Sequence, residues 1–290
     1  MAATDRPELG LHIYSVHKSM VHDFLGTLER IAGIGYRNVE LYFDSPLLAR
    51  FDEPCPADVL HRTARGLHLR VRSTTVHHHP FLDWDEVIRY NLAIGSGGIT
   101  IPMHLYNLSQ ERTKPQEAKA FARTLDDLGR KCRGAGLRLR YHNYYNEFET
   151  FDGKRIFDIL LEETDPALVG FEFDPYWAVR GGVDPVAWMD KLGSRCEALQ
   201  VQDLHKEAKN VNLVEVDGAF DNAFYPKIHT HYGDYVEVGT GLLDFPAIVA
   251  KAKAMPSVEY VMVNQMESTV HGEFASAVMN FEAMTRLLAK

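Results

Sequence analysis

Tyr141-His142-Asn143-Tyr144 and, thirty residues on, Phe171-Glu172-Phe173-Asp174-Pro175-Tyr176-Trp177 are two short apolar or aromatic runs that each end in polar groups. One helical stretch, Ile156 to Glu163, separates them. Strand, helix and strand with polar strand ends is the repeating unit of a (β/α)8 barrel, which keeps its chemistry at the C-terminal tips of its strands. Outward from this pair, the same alternation runs along the whole chain.

The apolar runs predict strands over Leu9–Ser15, Val39–Phe43, Leu67–Val76, Ile99–Met103, Leu137–Tyr144, Val169–Asp174, Ala198–Asp203 and Tyr260–Asn264. Helical periodicity predicts Phe24–Ile34, Ala57–Arg65, Trp84–Ala93, Ala118–Arg133, Ile156–Glu163, Pro185–Leu192, Phe245–Ala254 and Phe274–Leu288. Glycines such as Gly35, Gly66 and Gly134 stand where helices should stop. Eight alternating units imply a parallel sheet closed into a TIM barrel, read as one α/β domain over 1–290. An open doubly wound sheet usually has a glycine-rich turn after its first strand, and Tyr14-Ser15-Val16-His17 is not one. The connection after strand seven, about 204–244, is too long for an ordinary βα loop. It reads as a lid-like insertion over the active face, or else as a subunit contact.

Length and composition narrow the function. With 290 residues, 46% of them hydrophobic, the chain can fill a barrel core. The formal net charge of −9 disfavours nucleic acid or an anionic membrane as partner, since both need clustered Lys and Arg. Cys55, Cys132 and Cys196 are odd in number and far apart, which suits reduced thiols in a cytoplasmic protein. The first residues lack an apolar core, so no signal peptide is expected, and no run is long enough to span a bilayer. The expected partner is a small-molecule substrate; a homo-oligomer stays open.

The predicted strand tips supply His12 and Tyr14, Glu40, Thr75 and His77, His104, His142, Asp174, Gln200 and Asp203, and Asn264 with Glu267. With Tyr144, Tyr176 and Trp177 as aromatic walls, such a pocket suits polyols and sugars. His142 joins a strand tip to a group that titrates near neutrality. Asp174 and Glu40 are carboxylates on apolar strands, costly to bury without a partner, although Asp174 before Pro175 also suits a turn cap. His205 and Lys206 open the long connection, within reach of the site as acid/base groups or simply solvated. His77-His78-His79 and His229-Thr230-His231 look like metal clusters, but neighbours on an extended chain point in opposite directions, so solvated loops are expected. Trp177 reads as a wall near the rim or as core.

Several segments resemble the sugar phosphate isomerase/epimerase family, the xylose-isomerase-like barrels. Residues 9–42 resemble its opening strand-helix-strand, and residues 136–166, with YHNYYNEF, its YHNHDFEF stretch. Residues 171–192 resemble its Asp-x-x-Trp segment, and residues 237–253 its Glu-Val-Gly-x-Gly segment. The resemblance implies proton shuttling beside a carbonyl. It also implies a divalent metal (Mn, Mg or Zn) on four strand-tip ligands, which fall here on His142, Asp174, Gln200 and Asn264. The last two are amides where the family has an imidazole and a carboxylate, and Tyr144 replaces its second His. Neutral amides are weak ligands, so no tightly bound cofactor is expected unless Glu267, His205, His229 or His104 rebuilds the site.

The expected enzyme is therefore an isomerase or epimerase acting on a sugar derivative. His142 and Asp174 form its acid/base core, Glu40, His205 and Lys206 assist, and Tyr14, His104, Tyr144, Trp177, Gln200, Asn264 and Glu267 bind substrate. A lyase or cyclase on the same barrel and a non-catalytic ligand-binding barrel are the alternatives.

Overall fold

The computed structural model describes residues 7–43, 55–78, 82–102, 115–217, 231–268 and 270–290. Eight parallel strands close into a barrel: β1 (Glu8–His12), β2 (Asn38–Phe43), β3 (Arg70–Val76), β4 (Gly98–Pro102), β5 (Arg138–His142), β6 (Val169–Phe173), β7 (Cys196–Val201) and β8 (Tyr260–Val263). Each pairs with its sequence neighbours, and Glu8 opposite Tyr260 closes the ring.

Eight helices follow: α1 (Phe24–Ile34), α2 (Ala57–Gly66), α3 (Trp84–Ile94), α4 (Pro115–Gly134), α5 (Ile156–Glu163), α6 (Pro185–Leu192), α7 (Phe245–Ala254) and α8 (Glu273–Ala289). Their starts are written locally. Asp23, Asp83, Asp184 and Asp244 each accept a backbone N–H from the first turn of the helix they precede. Gly95 ends α3 at φ 75°, a left-handed conformation that favours glycine.

Outward strand residues such as Leu11, Val39, Ile99, Leu139, Phe171, Leu199 and Val261 are buried in the main core. The inside of the barrel differs. Barrel interiors are usually filled with branched apolar side chains, whereas here Glu40, Thr75, Thr100, Glu172 and Gln200 are buried beside Met262. Gly10 makes room for Met262, whose sulfur would lie 2.3 Å from any Cβ at that position. The β2–β3 register jumps between Val39 and Glu40, and the β6–β7 register between Phe171 and Glu172. Each jump skips one residue of the partner strand, Arg72 and Glu197 respectively, as a bulge does.

Several strand ends depart from the sequence-based expectation: β3 starts at Arg70 rather than Leu67, and β5 ends at His142 rather than Tyr144. The first strand stops at His12 rather than Ser15, because the His12 ring accepts the Tyr14 N–H and turns the chain into a 3-10 helix over Ile13–Val16. Strand seven ends at Val201 because Asp203–Leu204 leaves the barrel and pairs antiparallel with Tyr235–Val236. Residues 218–230, the middle of the long connection, lie outside the described residues.

Candidate active site

The C-terminal tips carry a compact set of buried polar groups. His142 ends β5 and Asp174 follows β6 directly. The His142 Nε2 lies 3.4 Å from Asp174 Oδ2, and in the neutral tautomer that donates to this carboxylate Nδ1 carries a lone pair. That Nδ1 is buried and has no hydrogen-bond partner among the described residues.

Asp174 is held from several sides. Its Oδ1 accepts the Tyr176 and Trp177 N–H groups at 2.8 and 3.2 Å, capping the short helix Pro175–Arg180. Its Oδ2 also accepts from the Gln202 amide at 3.4 Å, and Asn143 clamps its backbone through two hydrogen bonds. Burial pushes the Asp174 carboxyl above its usual range, and His142 opposes that shift.

A second chain of bonds lines the next layer down. The Tyr14 N–H donates to His12 Nδ1, so His12 Nε2 donates to Thr75 Oγ1 at 3.0 Å. Thr75 donates to Glu40 Oε1 at 2.9 Å. On the other side, Asn264 donates to Gln200 Oε1 at 2.8 Å, and Gln200 reaches Glu40 Oε2 at 3.5 Å. Burial first, and the neighbouring Glu172 second, raise the Glu40 carboxyl well above the carboxylate range. Glu172 accepts from Thr100 at 2.7 Å. Burial, with His142 adding to it, lowers His12 to about 3 and His77 to about 4, so both rings are neutral hydrogen-bonding groups.

Tyr144 stacks on Trp177 at 4.8 Å and stands edge-on to His142, forming an aromatic wall beside the dyad. Trp177 is deeper than a rim residue: it is buried, with its indole N–H unpartnered. Tyr14 packs on His17 and Tyr42.

His205 is half-buried and uses Nδ1 to accept the Glu207 N–H, and Lys206 is exposed. Glu267 pairs with Lys18 at 2.6 Å. His104, His79 and His229 lie outside the described residues. His78 accepts from Trp84, and His231 pairs with Asp234. Asp203 is a structural anchor, accepting the N–H groups of Leu204, Gly239, Gly241 and Leu243.

Sequence reasoning passed over Glu172, Gln202, Asn143 and Glu147. Glu172 and Gln202 were detectable, since residues two apart on a strand share a face with Asp174 and Gln200. Glu147 is buried, accepts from Tyr141 and the Tyr144 N–H, and fixes the turn that carries Tyr144.

Solved structures share this architecture. A sugar phosphate isomerase/epimerase from Parabacteroides distasonis superposes with a TM-score of 0.73 at 21% identity, covering 100% of this chain and 96% of that one. The fold is that of the xylose-isomerase-like barrels. Another barrel of this kind, the IOLI protein with a binding zinc atom, superposes at 0.72 and 12% identity over 97% of this chain and 98% of its own. Among curated sequences, an inosose dehydratase from Geobacillus kaustophilus is 26% identical over 180 residues, 61% of this chain and 55% of that protein. The match thus spans about half the length of that relative. No family model matches the chain.

The four positions that the sequence resemblance offers as metal ligands are His142, Asp174, Gln200 and Asn264. Gln200 Oε1 is taken by Asn264, leaving His142, Asp174 and the unpartnered Asn264 Oδ1. Among the described residues, no group of three or more His, Cys, Asp and Glu side chains could hold a metal ion. One imidazole and one carboxylate are too few for tight binding. No helix among the described residues is long and apolar enough to cross a membrane.

Proposed function

We propose that this chain is an acid/base enzyme that removes the proton next to a carbonyl in a sugar- or cyclitol-like ketone and expels water. The observation that carries this reading is the buried His142–Asp174 dyad, in which the His142 Nδ1 has no partner among the described residues. Asp174 fixes the tautomer, so the lone pair on Nδ1 is free to take a carbon-bound proton. The electron pair released forms the new carbon–carbon double bond as the β-hydroxyl departs. The imidazolium returns the proton to that hydroxyl, and one water leaves.

Two features favour elimination over two-base epimerisation. Asn264 does not titrate, so it offers the dyad no second base. A curated relative is also a dehydratase, which supports lyase chemistry. The unpartnered Asn264 Oδ1 suits a substrate hydroxyl, and Tyr144 and Trp177 suit a ring face. Isomerisation by the same proton shuttle is the second reading, favoured by the one-base geometry itself. The weak donor set supports a reaction that runs without a tightly bound metal.

The test is incubation with inososes and related keto-polyols in D2O, followed by mass spectrometry, before and after exhaustive chelation. Loss of one water supports dehydration; deuterium gain without loss of water supports isomerisation. His142→Ala is expected to abolish both, and chelation to leave them intact. Turnover surviving in His142→Ala refutes the dyad, and activity lost on chelation and restored by zinc refutes the metal-free reading.

A further inference from the structure

The opposite end of the barrel holds a cavity of ≈ 370 Å³, lined by Arg65, Arg70, Arg72, Arg140, His61 and Tyr260 among others. Arg70 and Tyr260 begin β3 and β8, so this is the N-terminal mouth, remote from the strand tips that carry His142 and Asp174. On a chain of net charge −9, such a concentration of guanidinium groups needs a reason.

The local charges do not balance. Glu8 pairs with Arg70 and Arg72, Glu197 with Arg138 and Arg140, and Glu259 lies 3.6 Å from Arg140. Arg65 has no carboxylate partner among the described residues. Four of these guanidinium groups, Arg65, Arg70, Arg72 and Arg140, line the cavity against the three carboxylates Glu8, Glu197 and Glu259 that pair with them, an excess of one positive charge.

Hydrogen bonding is also incomplete. Arg140 is only 3% exposed, yet its Nε has no hydrogen-bond partner among the described residues; the Glu197 oxygen 3.1 Å away is poorly aligned for one. Arg72 Nε and the Tyr260 hydroxyl are likewise buried without partners. Buried donors without acceptors are rare and costly.

The arrangement is built rather than incidental. Arg72 and Glu197 are the residues skipped at the two register jumps of the barrel. The guanidinium groups of Arg72 and Arg140 both lie 5.3 Å from the Tyr260 ring centre. Any Cβ at Gly98 would come within 3.1 Å of Arg140 Nη1, so glycine there leaves room for the guanidinium.

We infer that this cavity is a binding site for a phosphate-bearing anion. Guanidinium forks match phosphate oxygens two at a time, and an anion offsets the positive excess of the arginine lining. The cavity volume fits a small phosphate ester as well as the free ion.

Binding of inorganic phosphate is measured by calorimetry at fixed ionic strength, with chloride as the balancing ion, on the whole chain. The wild type is expected to bind one phosphate saturably. Arg65→Glu, an exposed substitution far from the dyad, is expected to weaken binding at least tenfold with an unchanged thermal midpoint in phosphate-free buffer. His142→Ala is expected to bind as the wild type does. No saturable binding means that the cavity holds only water and overturns the inference. Unchanged affinity in Arg65→Glu, or lost affinity in His142→Ala, overturns it as well, the latter by moving the anion to the strand tips. A sugar monophosphate that displaces phosphate at lower concentration assigns the site to an ester; failure to displace assigns it to the free ion.

Discussion

Asp174→Asn separates the structural duty of this residue from its chemical one. In the protein, Oδ1 caps the helix Pro175–Arg180 through two backbone N–H groups, while Oδ2 receives His142 and Gln202. In the variant the amide oxygen keeps the first duty and the amide nitrogen occupies the second position. That nitrogen donates to His142 Nε2, so the ring proton moves to Nδ1 and the lone pair meant for substrate is lost. Asp-to-Asn changes behind a catalytic histidine lower turnover by about 10⁴ in serine proteases through this tautomer switch. The longer 3.4 Å contact here argues for the lower side, roughly 10³–10⁴ in kcat/KM, or about 4–5 kcal/mol of barrier. Stability should change little, within about 1–2 kcal/mol, because removing a buried charge offsets the one side-chain bond lost, that from Gln202. The assay is the rate of deuterium uptake on a ketone substrate, alongside urea unfolding. Turnover within tenfold of wild type in a folded Asp174→Asn protein refutes the dyad mechanism. The pH profile should agree: burial raises the Asp174 carboxyl, so activity falls as pH drops through its folded-state value, where the protonated acid imitates the amide.

Two further outcomes follow from buried carboxyls. Glu40 keeps its proton in the folded state above the pH at which the unfolded chain loses it. Between those values the unfolded state binds fewer protons, so its contribution to stability falls as pH rises, by up to about 1.4 kcal/mol per pH unit; Glu40→Gln should flatten that slope in urea midpoints measured from about pH 5 to about pH 8, and an unaltered slope speaks against a protonated Glu40. Asp203→Asn leaves two of four backbone N–H groups facing an amide donor, costing about 2–4 kcal/mol, and a loss below about 1 kcal/mol contradicts its anchoring role.

Much of this was readable from the chain because strand tips are read by alternation. His142 and Asp174 each follow an apolar run, and equivalent positions on adjacent parallel strands converge at one mouth. Glu172 needed only the same period carried two residues back from Asp174. The register jumps at Arg72 and Glu197 were not readable, since a bulge depends on neighbouring strands rather than on local sequence. Nor was the pairing of Asp203–Leu204 with Tyr235–Val236, a contact between segments about thirty residues apart. The amide substitutions at Gln200 and Asn264 were visible as letters, but their mutual hydrogen bond was not.

The antiparallel clasp of Asp203–Leu204 with Tyr235–Val236 has an evolutionary corollary. It brings the two ends of the intervening excursion together, and the Asp203 carboxylate fastens the chain again at Gly239, Gly241 and Leu243. Whatever lies between the fastened ends behaves as a cassette. Lengthening or shortening it changes loop-closure entropy only logarithmically, by about 0.6 kcal/mol per doubling. Descendants of this barrel are therefore free to trade that segment for another at little cost to the barrel itself.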